Sequence, residues 1–596
     1  MEHLHFLLLV FTIFQTRLYL GMSKMGCLEG ARADKEALLS FKFQVTVPQN
    51  ALSGWTRNSS HCTWYGVSCS SKGSRVQSLH LSWLGLGGTL GPQLSNFTFL
   101  HTLNLSHNLF HGQIQLEFSR LQLLQQIDLK NNFINGTIPA ILSTCHNLET
   151  LRLEENRFSG KLPPELGSLQ KLKTLSVSIN NLTGSIPRTF GNLSSLTSLN
   201  LARNQSLAEI PSELGCLRNL QYFQLSGNHL TGEIPSSVYN VSSLFFLSVT
   251  QNNLGGKLPN DIVQAPPNLR QLYLAQNSFE GIVPGSISNA SGIEYLDLSM
   301  NRFHGPVPLF GNMKKLIWLN LGSNFLSSTT ALNFQLIDYL TSCEIPKNIA
   351  KLKKLQSFSV FQNMLSGEIP DIFGNLTQPS DDQMDNNKLS GKIPNSLGFC
   401  QQIETLNLTS NRLNGSIPNE IFRVSSLTNL NLSHNKLWGP LPSEVGNLKQ
   451  LQVVDVSDNQ ETMGSAVVIK KLQEADSDEM VRATVESQLA PVAFAIRWRV
   501  GSVPAHHGPC KKEVDAPTFP CMHYGKKAAP GPYPQRKHRG QVLGTANVTQ
   551  EIMTRARVQS RQIACDGSVF HKHFPATYKP QFDVWVEEWK RLLLQL

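Results

Sequence analysis

Apolar positions recur along most of this chain with a fixed spacing. Leu172, Leu175, Val177, Asn180, Leu182, Gly184, Ile186 and Pro187 mark one copy of a frame, and Leu427, Leu430, Leu432, Asn435, Leu437, Gly439, Leu441 and Pro442 mark another. Fifteen frame asparagines follow one another, most of them 24 residues apart: Asn108, Asn132, Asn156, Asn180, Asn204, Asn228, Asn252, Asn277, Asn301, Asn324, Asn363, Asn387, Asn411, Asn435 and Asn459. A period of this length predicts a solenoid, in which each turn packs on its neighbours.

Each part of the frame has a physical role. In Leu-x-x-Leu-x-Leu the last two leucines are two apart, the strand period, so both point inward from a short strand. One such strand cannot bury its edge, whereas stacked copies can. The asparagine stands where the chain leaves the strand, and its amide carries donors and an acceptor for backbone groups of its own and the next turn. Glycine lets the backbone turn tightly, and proline removes a donor where the chain runs extended. A helical repeat would need apolar spacings of three and four with few prolines, which this frame does not have.

Seventeen turns are expected over residues 76–459, beginning at Val76, Leu100, Leu124, Leu148, Leu172, Leu196, Leu220, Leu244, Leu269, Ile293, Leu316, Ala331, Leu355, Pro379, Ile403, Leu427 and Leu451. Two stretches depart from the frame. Over 316–354 a fifteen-residue turn precedes one with Tyr339 and Cys343 where asparagine and glycine belong, which reads as an island loop or as two turns fused by a deletion. Over 379–387, Pro379 and Asp382 take inward leucine positions, and a buried aspartate predicts a local defect.

Residues 34–75 read as an N-terminal cap. A short amphipathic helix from Asp34 precedes Trp55 and the run Cys62-x-Trp64-x-Gly66-Val67-x-Cys69. A solenoid's first turn exposes an apolar face, so a helix stapled by a Cys62–Cys69 disulfide makes a suitable lid. A metal site at the same cysteines is the competing reading, and it lacks nearby ligands.

This cap, followed by Leu-x-x-Leu-x-Leu-x-x-Asn-x-Leu-x-Gly-x-Ile-Pro, closely resembles the extracellular part of plant leucine-rich-repeat receptor kinases over residues 34–459, most of all the subfamily holding pattern-recognition receptors. The resemblance implies an α/β solenoid, a right-handed superhelix with a helical cap. It further implies an inner face or flank that holds a peptide or glycan elicitor and recruits a co-receptor ectodomain.

Composition and flanking segments refine the picture. Residues 1–33 hold a short apolar run and the small-x-small site Ala31-Arg32-Ala33, the pattern of a secretory signal, with an uncleaved anchor as the alternative. The net charge of +10 is thinly spread, so the repeats carry no nucleic-acid footprint. From Gln460 to Leu596 the frame is absent and the chain becomes basic and proline-rich, an irregular or disordered tail with no capping cysteine pair. His506, His507, Cys510, Cys521 and His523 in that tail match no zinc module, so no metal and no cofactor is assigned. After the signal no run approaches a membrane span, and no Gly-rich loop, His-Arg-Asp or Asp-Phe-Gly of a kinase is present. No enzyme activity is expected, and the chain is expected in the apoplast, or at the cell surface if a longer product carries an anchor.

The candidate binding residues form an aromatic stripe: Tyr222, Phe246, Tyr295 and Trp318, two residues after four turn starts, with Tyr273 between them. Such a stripe suits recognition, and equally a ladder of side chains along a sheet. Glu154 and Glu155, beside Arg152 and Arg203, are candidates for guiding a charged ligand. Fourteen Asn-x-Ser/Thr sequons occur. Glycans are expected at Asn58, Asn96, Asn135, Asn181, Asn192, Asn240, Asn289, Asn375 and Asn414. Asn204 is expected to be blocked by burial, Asn104, Asn407 and Asn431 would place sugar on the inner face, and Asn547 lies in the tail. Cys145 and Cys400 replace frame apolar residues and are expected as buried thiols. Three functions fit: receptor-like recognition in defence or developmental signalling, inhibition of a wall-degrading enzyme, or a rearranged receptor-gene product without function of its own.

Overall fold

The strand segment of the frame is only three residues long in most turns, so its stability depends on stacking. In the computed structural model the described residues are 29–460, excepting 49–50, 72–74, 206–207, 261, 263–266, 328–344, 372 and 374–380. The signal up to residue 28, the tail beyond Gln460, its histidine and cysteine set, Asn375 and Asn547 lie outside them. Among the described residues, no helix is long and apolar enough to cross a membrane.

The inner face is a 17-stranded sheet. Its first strand, Val67–Cys69 of the cap, pairs antiparallel with Val76–His80. The other sixteen strands, from Val76–His80 to Val453–Asp455, run parallel with the inward residue of each opposite that of the next, as in Leu175↔Leu199. Each of these inward residues is buried, so the core is a column of leucine, isoleucine, phenylalanine and valine, interrupted once by Asp382.

The frame asparagines seal the side of this column. Asn180 Oδ1 accepts the N–H of Phe158 at 2.9 Å, and its Nδ2 donates to the carbonyls of Leu153, Val177 and Ser178 at 3.0, 3.1 and 3.1 Å. Phe158 and Leu153 belong to the preceding turn, not the following one as the frame suggested. The strand has just ended there, and the backbone groups left over on the earlier turn face the amide. Immediately before the asparagine, a second column appears that the sequence concealed. Fifteen of the described non-glycine residues, among them Ile179, Asp458 and, ahead of Leu84 in the first turn, Trp83, adopt positive φ of 49–62°. The left-handed residue reverses the chain so that the next side chain points inward.

Beyond the asparagine, short parallel strands form a second set of sheets on the flank, of five, three and four strands. The frame glycine sits there at positive φ: at Gly184, φ is +89°, and a Cβ would lie 2.9 Å from Lys161 Cγ of the turn below. The Ile-Pro pair then leads into a short 3-10 turn, such as Arg188–Asn192, whose first carbonyl bond runs from Phe190 N–H to Pro187 O at 3.0 Å. Proline loses nothing here, because its nitrogen precedes the first bonded turn.

The start of the turn expected at Ala331, with Tyr339 and Cys343, lies outside the described residues. Trp318–Asn320 pairs directly with Ser357–Ser359, and the 3-10 turn Lys347–Lys351 packs on Phe310–Asn312 of the turn below. The described strands on either side of this stretch are therefore direct neighbours in the ladder. Of the stretch where a local defect was expected, Pro379 lies outside the described residues. Asp381–Gln383 pairs in register with both neighbours, and Asp382 is fully buried in the leucine column. Backbone pairing here tolerates a side chain that the core does not favour.

The cap is a helix over 29–44, beginning among residues read as part of the signal. Asp34 is fully buried, paired with Arg75 Nε at 2.8 Å and accepting the Val76 N–H at 2.8 Å, which ties the helix to the first strand. Trp55 and Trp64 stack at 5.3 Å beneath it, and Cys62 and Cys69 form the disulfide.

Candidate ligand-binding surface

The residues at the first position of each strand project from the inner face. There the Cα atoms of Tyr222, Phe246, Gln271, Tyr295 and Trp318 stand opposite one another on successive strands. Tyr273 leaves the same face two residues on, opposite Ser248 and Asp297. Parallel register turns a sequence spacing of about one turn into one row of side chains.

The five aromatics are not equivalent. Tyr222 stacks on Phe246 with ring centroids 4.4 Å apart and planes 16° from parallel, and Phe246 meets Tyr273 at 5.7 Å and 48°. Phe246 is buried beneath this packing, while Tyr222, Tyr273, Tyr295 and Trp318 are half-buried. The first three form a ladder, rigid because each ring holds the next. Tyr295 and Trp318 continue the row on adjacent strands beyond Gln271. Burial raises the hydroxyl pKa of Tyr222 and, together with the nearby Glu294, that of Tyr295, so both remain neutral donors.

Polar groups border the row. Gln224 Oε1 accepts the Ser226 hydroxyl at 2.7 Å, and Ser226 Oγ lies 2.7 Å from Ser248 Oγ. Asp297 Oδ1 accepts the Ser299 hydroxyl at 2.6 Å and its N–H at 3.0 Å; burial nonetheless raises the Asp297 pKa. On the other border Arg270 bonds Glu294 at 2.7 Å and lies over Phe245, itself 41% exposed. Asp297, Arg270 and Phe245 were missed in the sequence because their role depends on lateral neighbours. An exposed aromatic one residue before Phe246 was the available signal.

Glu154, Glu155 and Arg152 lie in an ionic patch nearer the cap. Lys130 approaches Glu155 at 3.2 Å, Arg152 approaches Asp128 at 3.8 Å, and Asn131 donates to Glu155 at 2.7 Å. Glu154 is different: burial raises its pKa, and its Oε2 is shut from solvent without a hydrogen-bond partner. Arg203 stands in the left-handed column two turns beyond Glu155.

Among the described residues, His61, Cys62 and Cys69 form the one cluster with the reach to hold a metal, and its two sulfurs are bonded to each other. Cys145 and Cys400 are buried, their thiols pushed up to about 11 and about 12 chiefly by burial, and Cys216 is exposed. Of the expected glycan sites, Asn58, Asn96, Asn135, Asn181, Asn192, Asn240, Asn289 and Asn414 are exposed. Asn204 is 7% exposed with its Nδ2 donating to Val177, Leu201 and Ala202.

A stacked parallel ladder with an aromatic inner face and a disulfide-stapled cap is the build of a leucine-rich-repeat recognition domain. The description "Leucine rich repeat N-terminal domain" matches residues 31–70, "Leucine-rich repeat region" matches 75–341, and "Leucine Rich Repeat" matches 354–376, 402–424 and 426–448. The chain belongs to the leucine-rich-repeat family, in its plant receptor-kinase ectodomain branch. It is similar to the Arabidopsis receptor kinase HAESA ectodomain in complex with an extended IDA peptide hormone: TM-score 0.64, 33% identity, 72% of this chain and 70% of that one. It is also similar to HAESA in complex with IDA and the co-receptor SERK1, with TM-score 0.53, 31% identity, and 72% and 82% of the two chains. Among sequences, it is 39% identical over 94 residues to the LRR receptor-like serine/threonine-protein kinase EFR of Arabidopsis thaliana. That stretch is 15% of this chain and spans only 9% of the kinase's length.

Proposed function

We propose that this solenoid is an extracellular recognition module that holds an extended peptide along its inner face, in plant defence or developmental signalling. The observation that carries this is the in-register row Tyr222, Phe246, Tyr295 and Trp318 with Tyr273 beside it. The Tyr222–Phe246–Tyr273 ladder is the rigid floor, and Tyr295 and Trp318 offer the half-buried surface that a ligand side chain covers. Asp297 and Gln224 border the row with groups suited to a peptide backbone. Structures of similar ectodomains hold peptide hormones, and one also holds a co-receptor, which favours a peptide over a glycan elicitor and a second ectodomain as partner. The in-register pairing of Trp318–Asn320, Ser357–Ser359 and Asp381–Gln383 favours this over the rearranged-gene reading.

The test is a binding screen of the secreted full chain against synthetic secreted-peptide and bacterial-elicitor libraries, with chito-oligosaccharides alongside. A peptide hit should weaken about tenfold or more in Trp318→Ala and Tyr295→Ala, the loss of an interface anchor, with the melting profile preserved. A hit indifferent to both variants would remove the stripe from the site.

A further inference from the structure

The most exposed tryptophan of the inner face lies outside the proposed peptide site. Trp83, 73% exposed, occupies the left-handed column of the first turn at φ 62° and stacks on His107 of the second at 3.7 Å and 8°. One indole face is therefore against His107, and the exposure belongs to the other face and the edges. Burial and the nearby Lys130 lower the His107 pKa, so the pair is a neutral aromatic platform. A large apolar face fixed by a stacked neighbour and left open to solvent calls for a cover.

The second turn supplies one. Asn104 is a sequon asparagine on the strand Thr102–Asn104, opposite His80. Its Oδ1 accepts both the N–H of Ser106 at 3.0 Å and the Ser106 hydroxyl at 2.8 Å, while its Nδ2 makes no hydrogen bond among the described residues. Ser106 O in turn accepts the Trp83 backbone N–H at 3.1 Å, so the sequon's serine is held directly beside the tryptophan. The geometry points to an N-linked glycan on Asn104 whose inner sugar rings lie across Trp83. In the attachment, Nδ2 forms a bond to the anomeric carbon of a lipid-pyrophosphate-linked oligosaccharide as that carbon's bond to the pyrophosphate oxygen breaks; the lipid pyrophosphate leaves as the anion and one Nδ2 proton passes to solvent. Oδ1 keeps both Ser106 bonds, which is why this fold tolerates sugar at Asn104 and not at Asn204, where Nδ2 feeds three carbonyls. Neighbouring turns are ~4.8 Å apart, so the two N-acetylglucosamine rings of the glycan core span from one turn to the other. The apolar face of a sugar ring then covers the indole as an aromatic ring would. The consequence is a shielded inner face at the first two turns, which leaves peptide access to the stripe from Tyr222 onward.

This rests on the extracellular reading, and the experiment separates the two. The full chain is secreted from a host that makes oligomannose glycans, and each sequon is followed by glycopeptide mass spectrometry during endoglycosidase H digestion of the native protein. The exposed Asn135 is the internal reference. Release at Asn104 is expected to be about fivefold slower than in Trp83→Ala, with Trp83→Tyr restoring protection and Asn135 unchanged in all three. Free N,N′-diacetylchitobiose is expected to perturb Trp83 in Asn104→Gln and not in the glycosylated parent. An unoccupied Asn104 beside an occupied Asn135, or equal release with and without Trp83, overturns the proposal. Equal chitobiose binding by the glycosylated parent overturns it too, by assigning the platform to a free sugar. Absence of sugar at every sequon would overturn the extracellular reading with it.

Discussion

Replacing Asn301 by alanine tests whether the asparagine column holds the turns together. Asn301 is buried, accepting the Phe279 N–H at 3.0 Å and donating to Leu274, Leu298 and Ser299 at 2.9, 3.2 and 2.9 Å. The three carbonyls keep other donors: Asn277 Nδ2 on Leu274 at 3.2 Å, Asn324 Nδ2 on Leu298 at 3.0 Å and Gln276 N–H on Ser299 at 3.0 Å. Phe279 N–H has no second acceptor among the described residues, so it alone is orphaned. An orphaned buried donor costs about 1–3 kcal/mol, and the weakened carbonyl bonds add about 1 more. A total near 3 kcal/mol corresponds to roughly a hundredfold increase in local opening. Hydrogen-exchange mass spectrometry should therefore show peptides over 270–305 exchanging about a hundredfold faster. Peptides over 100–130 should be unchanged, because a solenoid turn contacts only its neighbours. Acceleration below about fivefold, or spread evenly along the chain, would refute the reasoning.

Asp382→Leu restores the frame residue at a fully buried position and should stabilise the protein by about 1–4 kcal/mol, read as a higher urea midpoint; a lower midpoint would show that the carboxylate is built into the core. Ile179 is β-branched and held at φ 54°, so Ile179→Asn should gain about 1 kcal/mol in chemical denaturation, and a loss would mean that its apolar contacts outweigh the backbone strain. Glu154 has a raised pKa in the fold through burial, so its contribution is fully present below the ordinary glutamate range and is lost as pH rises through the raised value. Glu154→Gln should remove that loss, leaving parent and variant closer in stability at acidic than at neutral pH; identical pH profiles would contradict the assignment.

The sequence by itself determined the solenoid, the phase of nearly every turn, the cap and its Cys62–Cys69 disulfide, because these follow from a period repeated many times and from residues next to each other in the chain. It also placed the aromatic row, since parallel register converts equal spacing into lateral contact. Only the tertiary structure decided that Asn180 reaches back to Phe158, that Trp318–Asn320 pairs directly with Ser357–Ser359, and that Asp382 keeps its register inside the core. It alone showed that Tyr222, Phe246 and Tyr273 lock together and that Trp83 rests on His107. Each of these depends on which turn lies beside which, and a one-turn period leaves that open wherever an insertion or a mismatched residue interrupts it. Pairing between strands settles it, through the backbone bonds that each turn satisfies only against its neighbour.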